Sequence, residues 1–259
     1  MIDFTSKEHY DFEDLVRLVR LLREPGGCPW DNAQTHLSIR RNFLEEAYEA
    51  CEGFDRDDPA IMCEELGDVL LQVLFHTDIE REAGRFTLED VCDAVCKKLV
   101  FRHPFLFGGE ASSWDEIKKK EKGQQTAAQS MDAVARSLPA AWRADKLLAK
   151  AAKSGVKSEC ISDCLDILDK EVSALRSAAE EGRACDDALG ALLFAAVNAA
   201  FSLQVDPEDA LHHSCERFIR RFAAEEQNTH SLRLMDEEAF RSLWEPPSSQ
   251  SAPIKENTT

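Results

Sequence analysis

Residues 64–75 read EELGDVLLQVLF, and this stretch decides the fold. Leu66, Val69, Leu70, Val73, Leu74 and Phe75 supply the apolar side of a helix meant for burial. Glu64, Glu65 and Asp68 crowd its start, with Asp68 one turn past Glu65. Carboxylates therefore border a face that the chain intends to cover, and that conflict needs a chemical reason.

Outward from this stretch, helical periodicity dominates. FEDLVRLVRLLRE (12–24) carries Leu15, Leu18, Val19 and Leu22 on one stripe, and PGGCPWD (25–31) breaks it with Pro and Gly. The pattern predicts helices over 35–54 and 59–83, the second opened by Asp58 and Pro59 and stopped at Gly84. The next helix opens on Thr87 with Asp90 three residues later, an approximate capping box, and ends before Pro104. WDEIKKKEK (114–122) reads as a short polar helix and 123–138 as a linker. Further helices are expected at 139–152, 160–181, 185–203, 207–227 and 236–244, and the Pro/Ser-rich 245–259 reads as a disordered tail. No stretch shows the period-two alternation of a strand, so the expected class is all-α.

The bulk properties narrow the function. A formal net charge of −18 over 259 residues argues against a nucleic-acid polymer as partner, since phosphate neutralisation needs basic stripes. A small phosphorylated ligand remains compatible, held locally by a metal ion and a few cations. Nine cysteines without metal or redox spacing read as buried free thiols in a reducing cytosol. The start, MIDFTSKEHYDF, lacks a signal-peptide pattern, and nothing approaches the ~18 apolar residues of a membrane span. A cytoplasmic protein without membrane contact is the expectation.

The two halves are related. GDVLLQVLFHT (67–77) aligns with GALLFAAVNAA (190–200), LEDVCDAVCKKLVFRH (88–103) with PEDALHHSCERFIRRF (207–222), and FLEEAYEAC (43–51) with LDKEVSALR (168–176). This order and spacing predict a tandem duplication, with units at 1–122 and 139–244.

In the first unit Glu46 and Glu49 share one helix face, and Glu65 and Asp68 share a face of the next. The short link makes these helices antiparallel neighbours, so four carboxylates can meet. Bare, they repel; a divalent cation removes the conflict. All-oxygen ligation suits Mg²⁺ first and Mn²⁺ second. Lys98 and Arg102, four apart on the following helix, are candidates to hold phosphate oxygens. The competing reading of each acid pair is a solvated helix face.

GCPWDNAQT (27–35), EEAYE (45–49), EELGD (64–68), GRF (84–86), KLVFRHPFLF (98–107) and WDEIKKKE (114–121) together resemble the MazG family of all-α nucleoside triphosphate pyrophosphohydrolases. The resemblance covers roughly 12–244 and matches the duplicated long form. It implies Mg²⁺-dependent hydrolysis of a nucleoside triphosphate to monophosphate and pyrophosphate, and homodimers whose helices complete bundles. It implies Glu46, Glu49, Glu65 and Asp68 as metal ligands and Lys98 and Arg102 as triphosphate contacts. Trp30, Asp31 and Gln34 would lie near the nucleoside, although Trp30 also suits a core. Lys118 matches a basic position of uncertain role. Glu49 or Glu46 is the candidate base, with Glu45 as an acid supporting them.

The second unit departs from this pattern. Glu46 corresponds to Glu171, but Glu49, Glu65 and Asp68 correspond to Ala174, Ala188 and Ala191. The cations persist as Arg217 and Arg221. This unit is expected to be catalytically dead scaffolding. The alternative for the whole chain is an eroded helical module that binds nucleotides or protein partners.

Overall fold

The computed structural model describes residues 4–108, 126–157 and 160–228. The helices expected at 114–122 and 236–244, Lys118 and the tail 245–259 lie outside the described residues. Every regular element among the described residues is helical, which makes the chain all-α. It divides into two compact units, Met1–Glu121 and Lys122–Thr259.

The first unit contains α1 (Phe12–Arg23), α2 (Pro29–Asn32), α3 (His36–Asp55), α4 (Pro59–Glu82) and α5 (Leu88–Arg102), followed by a 3₁₀ turn at Pro104–Leu106. The α3/α4 hairpin is its frame. Asp58 caps α4, its side chain accepting from the Ala60 and Ile61 amides, and Pro59 takes the first helical position. The link turns at Asp57, whose φ of 51° is left-handed. Gly53 lets the helices close up beside this link: a Cβ there would lie 3.1 Å from the Met62 amide nitrogen. Thr87 and Asp90 form the capping box of α5.

The core of this unit joins Val19 of α1, Ile39 of α3, and Leu74 and Phe75 of α4, with Leu15, Val16, Leu71, Ile79 and Leu88 packed around it. Only the second half of α4 is thus deeply buried. Leu66 and Leu70, beside the carboxylates, are exposed. The apolar stripe of 64–75 is continuous in sequence, but the neighbouring helices cover only its far end.

Two local expectations need correction. Within 25–31, read as a break, Pro29 starts the short α2. Gly27 cannot carry a side chain here, since a Cβ would lie 2.3 Å from the Leu21 carbonyl oxygen. Burial of the cysteines is also overturned: all nine are free thiols, but only Cys164 is buried and six are exposed. Their sulfurs sit on helix faces that this chain leaves open.

The second unit contains α6 (Ala127–Asp132), α7 (Ala140–Lys153), α8 (Ile161–Glu180), α9 (Asp186–Ser202) and α10 (Pro207–Asn228). Its frame is again a hairpin, α8 with α9, and its core is built from smaller residues, among them Cys164, Ala178, Ala195 and Ala199. Helix α6 falls in a segment read as linker. Thr126 and Gln129 cap it reciprocally, and Val134 just beyond it is buried. Among the described residues no single helix is long and apolar enough to cross a membrane.

Candidate metal centre

The antiparallel hairpin brings three of the four acids together. Carboxylate oxygens of Glu46 and Glu49 on α3 and Glu65 on α4 all lie within 4.8 Å of one another. Glu46 and Glu65 are half-buried and Glu49 is exposed. Asp68, one turn further along α4, stands outside this group of three, but its charge reaches it. Partial burial, then the charges of Asp68, Glu49 and Glu45, push the Glu46 carboxyl above the ordinary range. Burial, then Glu49, Glu64, Asp68 and Glu46, does the same to Glu65. Each of these shifts makes the charged form of Glu46 and Glu65 less favourable. Oxygen donors on two rigid helices, charged against one another, fit a hard divalent ion.

The other candidate residues lie on α3, on α5 and around α2. Glu45 is exposed and pairs with Arg41, 3.1 Å away and one turn earlier. Lys98 is exposed and Arg102 half-buried, both on α5, which packs along α4. Trp30 is 59% exposed, so its place is not the core. The Asp31 carbonyl accepts from Arg23 at 2.7 Å. The Gln34 side chain donates to the Trp30 carbonyl and accepts from the Ser38 hydroxyl, tying α2 to the start of α3.

Two polar networks in α4 escaped the sequence reading. Asp78 is buried with Arg81 at 2.6 Å and Arg23 at 3.5 Å, and Arg23, itself buried, reaches Glu82 at 2.8 Å. Glu80 is buried and gripped by Arg85 at 2.5 and 2.6 Å. That grip, with a bond from His36, holds its carboxyl down at about 2. The available signal was DIERE (78–82): acids in the most apolar helix of the first unit, each within reach of an arginine.

In the second unit Glu171 is half-buried, with alanines at the three other positions. Among the described residues no second group of three metal-ligating side chains forms.

A family model described as the MazG nucleotide pyrophosphohydrolase domain matches residues 34–107, which span α3, α4 and α5. A nucleoside triphosphate pyrophosphohydrolase/pyrophosphatase MazG of Thermotoga maritima is 37% identical over 220 residues, covering 83% of this chain and 86% of that protein. A nucleoside triphosphate pyrophosphohydrolase of Escherichia coli K12 is 33% identical over 248 residues, covering 89% and 94%. One from Mycolicibacterium smegmatis is 41% identical over 157 residues, covering 57% and 48%.

Proposed function

The chain belongs to the MazG family, and on that premise we propose that it is a Mg²⁺-dependent nucleoside triphosphate pyrophosphohydrolase, acting through its first unit. The observation that carries this reading is the meeting of Glu46, Glu49 and Glu65 on the α3/α4 hairpin. Products would be the nucleoside monophosphate and pyrophosphate, and Mn²⁺ would substitute for Mg²⁺.

Glu46, Glu49 and Glu65 would hold the ion, and Asp68, one turn further along α4, would supply a fourth carboxylate. When bound, the ion polarises phosphoryl oxygens and eases deprotonation of the attacking water. Glu49, the exposed member, or Glu46 takes the proton from that water. Glu45 adds negative charge behind Glu46 and so keeps it basic. Lys98 and Arg102 balance the charge on the departing pyrophosphate. Trp30, Asp31, Gln34 and Lys118 are assigned to the nucleoside side.

The second unit serves as scaffold. Exposed apolar side chains on the first unit, including Leu44, Leu66, Leu70 and Leu99, support a homodimer. Nine free thiols suit a reducing cytoplasm. The strongly negative charge keeps nucleic-acid polymers away.

Anion-exchange separation of products from ribo-, deoxy- and oxidised triphosphates tests the proposal. Monophosphate plus pyrophosphate, dependent on Mg²⁺ and lost in Asp68→Ala, is the expected result. Diphosphate plus orthophosphate would refute the reaction type. No turnover of any triphosphate would favour a binding module.

A further inference from the structure

One turn beyond Glu46 on α3, away from the hairpin link, a cavity of about 400 Å³ opens between α3, α4 and the start of α5. Phe43, Val73, Phe86 and Val91 give it apolar walls, and His36 and His76 join them. Its size and its mix of apolar wall with a few polar groups are those of small-molecule sites. Phe43 lies three residues from Glu46, about 4.5 Å along the helix. Val73 lies five residues from Asp68, about 7.5 Å along α4. The histidines lie further off, His36 ten residues from Glu46 and His76 eight from Asp68, about 12–15 Å along the helices, a span that an extended nucleoside triphosphate covers.

The two histidines form a plate. Their Nδ1 atoms are 2.7 Å apart, their rings are 10° from parallel, and their centroids are 4.9 Å apart. That centroid distance is what two rings joined edge to edge through one hydrogen bond require, so the imidazoles lie side by side in nearly one plane. Phe43 meets the His76 ring edge-on at 5.7 Å. The plate is anchored from behind: Arg85 fixes Glu80, and Glu80 bonds His36 Nε2. Burial, and then nearby charge on His36, lowers the His76 pKa and favours a neutral His76 ring.

We propose that this cavity receives the nucleobase of the triphosphate, stacked on the His36–His76 plate between the apolar walls. The inference rests on the proposed pyrophosphohydrolase reading, since it takes the substrate's phosphates to lie at the acids. A planar, π-faced group with polar edges is what such a plate and its apolar walls suit.

The test compares the full-length protein with Val91→Trp, which fills the cavity from α5, and with Phe43→Ala, both checked for helix content. The KM for nucleoside triphosphates is set against the inhibition constant of inorganic triphosphate, which has no base. KM should rise about tenfold or more, the scale of one lost stacking contact, while inorganic triphosphate inhibits as before. If KM stays put, or both constants move together, the assignment is overturned. A second readout keeps this separate from the reaction itself. Nucleoside monophosphates are titrated into metal-free protein while the histidine ring protons are followed by NMR. A shift at His36 and His76, absent in Val91→Trp, supports the base site even in a protein that turns over no triphosphate. No shift in such a protein overturns it.

Discussion

The α3/α4 hairpin and the α8/α9 hairpin hold the same place in their two units, yet only the first carries a cluster of acids. Three of the four acidic positions become Ala174, Ala188 and Ala191, and helix α9 becomes mostly apolar. The frame persists because packing residues and caps set it, and neither depends on the carboxylates. The acids are a burden on the apo fold. Glu46 and Glu65 both have raised pKa values, which means that their ionisation is disfavoured in the folded chain. The second hairpin carries alanines at three of those positions, and among the described residues it forms no comparable acidic group.

The largest way to break this contrast is to remove the buried arginine that braces the first unit. Arg23→Ala takes the bonding partner from Glu82 and from the Asp31 carbonyl and leaves Asp78 to Arg81 and Arg20, and losing hydrogen bonds to a charged group costs about 1.5–3 kcal/mol each. Thermal unfolding should then separate into an early transition for the first unit and an unchanged one for the second. A single coincident shift would show that the units are not independent.

Next in size is the ligand set itself. Glu65→Ala should lower turnover by at least about 10²-fold, because even outer partners of metal ligands are worth 10–100-fold. Glu171→Ala, at the matching α8 position, should leave turnover unchanged. Equal losses would erase the distinction between the units.

The pH dependence sharpens the comparison further. For a carboxyl whose folded pKa is raised, stability is fully present below its unfolded pKa and is lost as pH rises through the folded value. Metal-free protein should therefore lose stability as pH climbs through and just above the usual carboxylate range, and Glu46→Gln should flatten that slope. Mg²⁺ should reverse it, releasing protons on binding. Glu80 works in the opposite sense: its depressed carboxyl contributes stability above its unfolded pKa, lost as pH falls towards about 2. The smallest effect belongs to the cap. Thr87→Ala should cost about 1 kcal/mol by denaturant titration, with activity retained.

Much of this arrangement was legible in the residues. Local chemistry fixes the helix ends at Asp58–Pro59 and Thr87–Asp90, and the structure places them there. The pairing of Glu46 and Glu49 with Glu65 followed from helix spacing and a short link. Periodicity could not say which part of α4 is covered, because burial depends on neighbours: Leu66 and Leu70 face out while Asp78 and Glu80 face in. Polar residues on an apolar helix look misplaced until their arginines are known, so the Arg23 and Arg85 networks stayed hidden. The short α2 was masked by its Gly and Pro neighbours, and Asp68 sits one turn short of the cluster it was expected to join.

The central claim is that one hairpin of the two holds the ion. Mn²⁺ binding to the full-length protein, followed by electron paramagnetic resonance, tests it most directly when wild type, Glu65→Ala and Glu171→Ala are titrated side by side. The account predicts that binding is abolished by Glu65→Ala and untouched by Glu171→Ala. Binding that survives Glu65→Ala, or that is lost in Glu171→Ala, would contradict it.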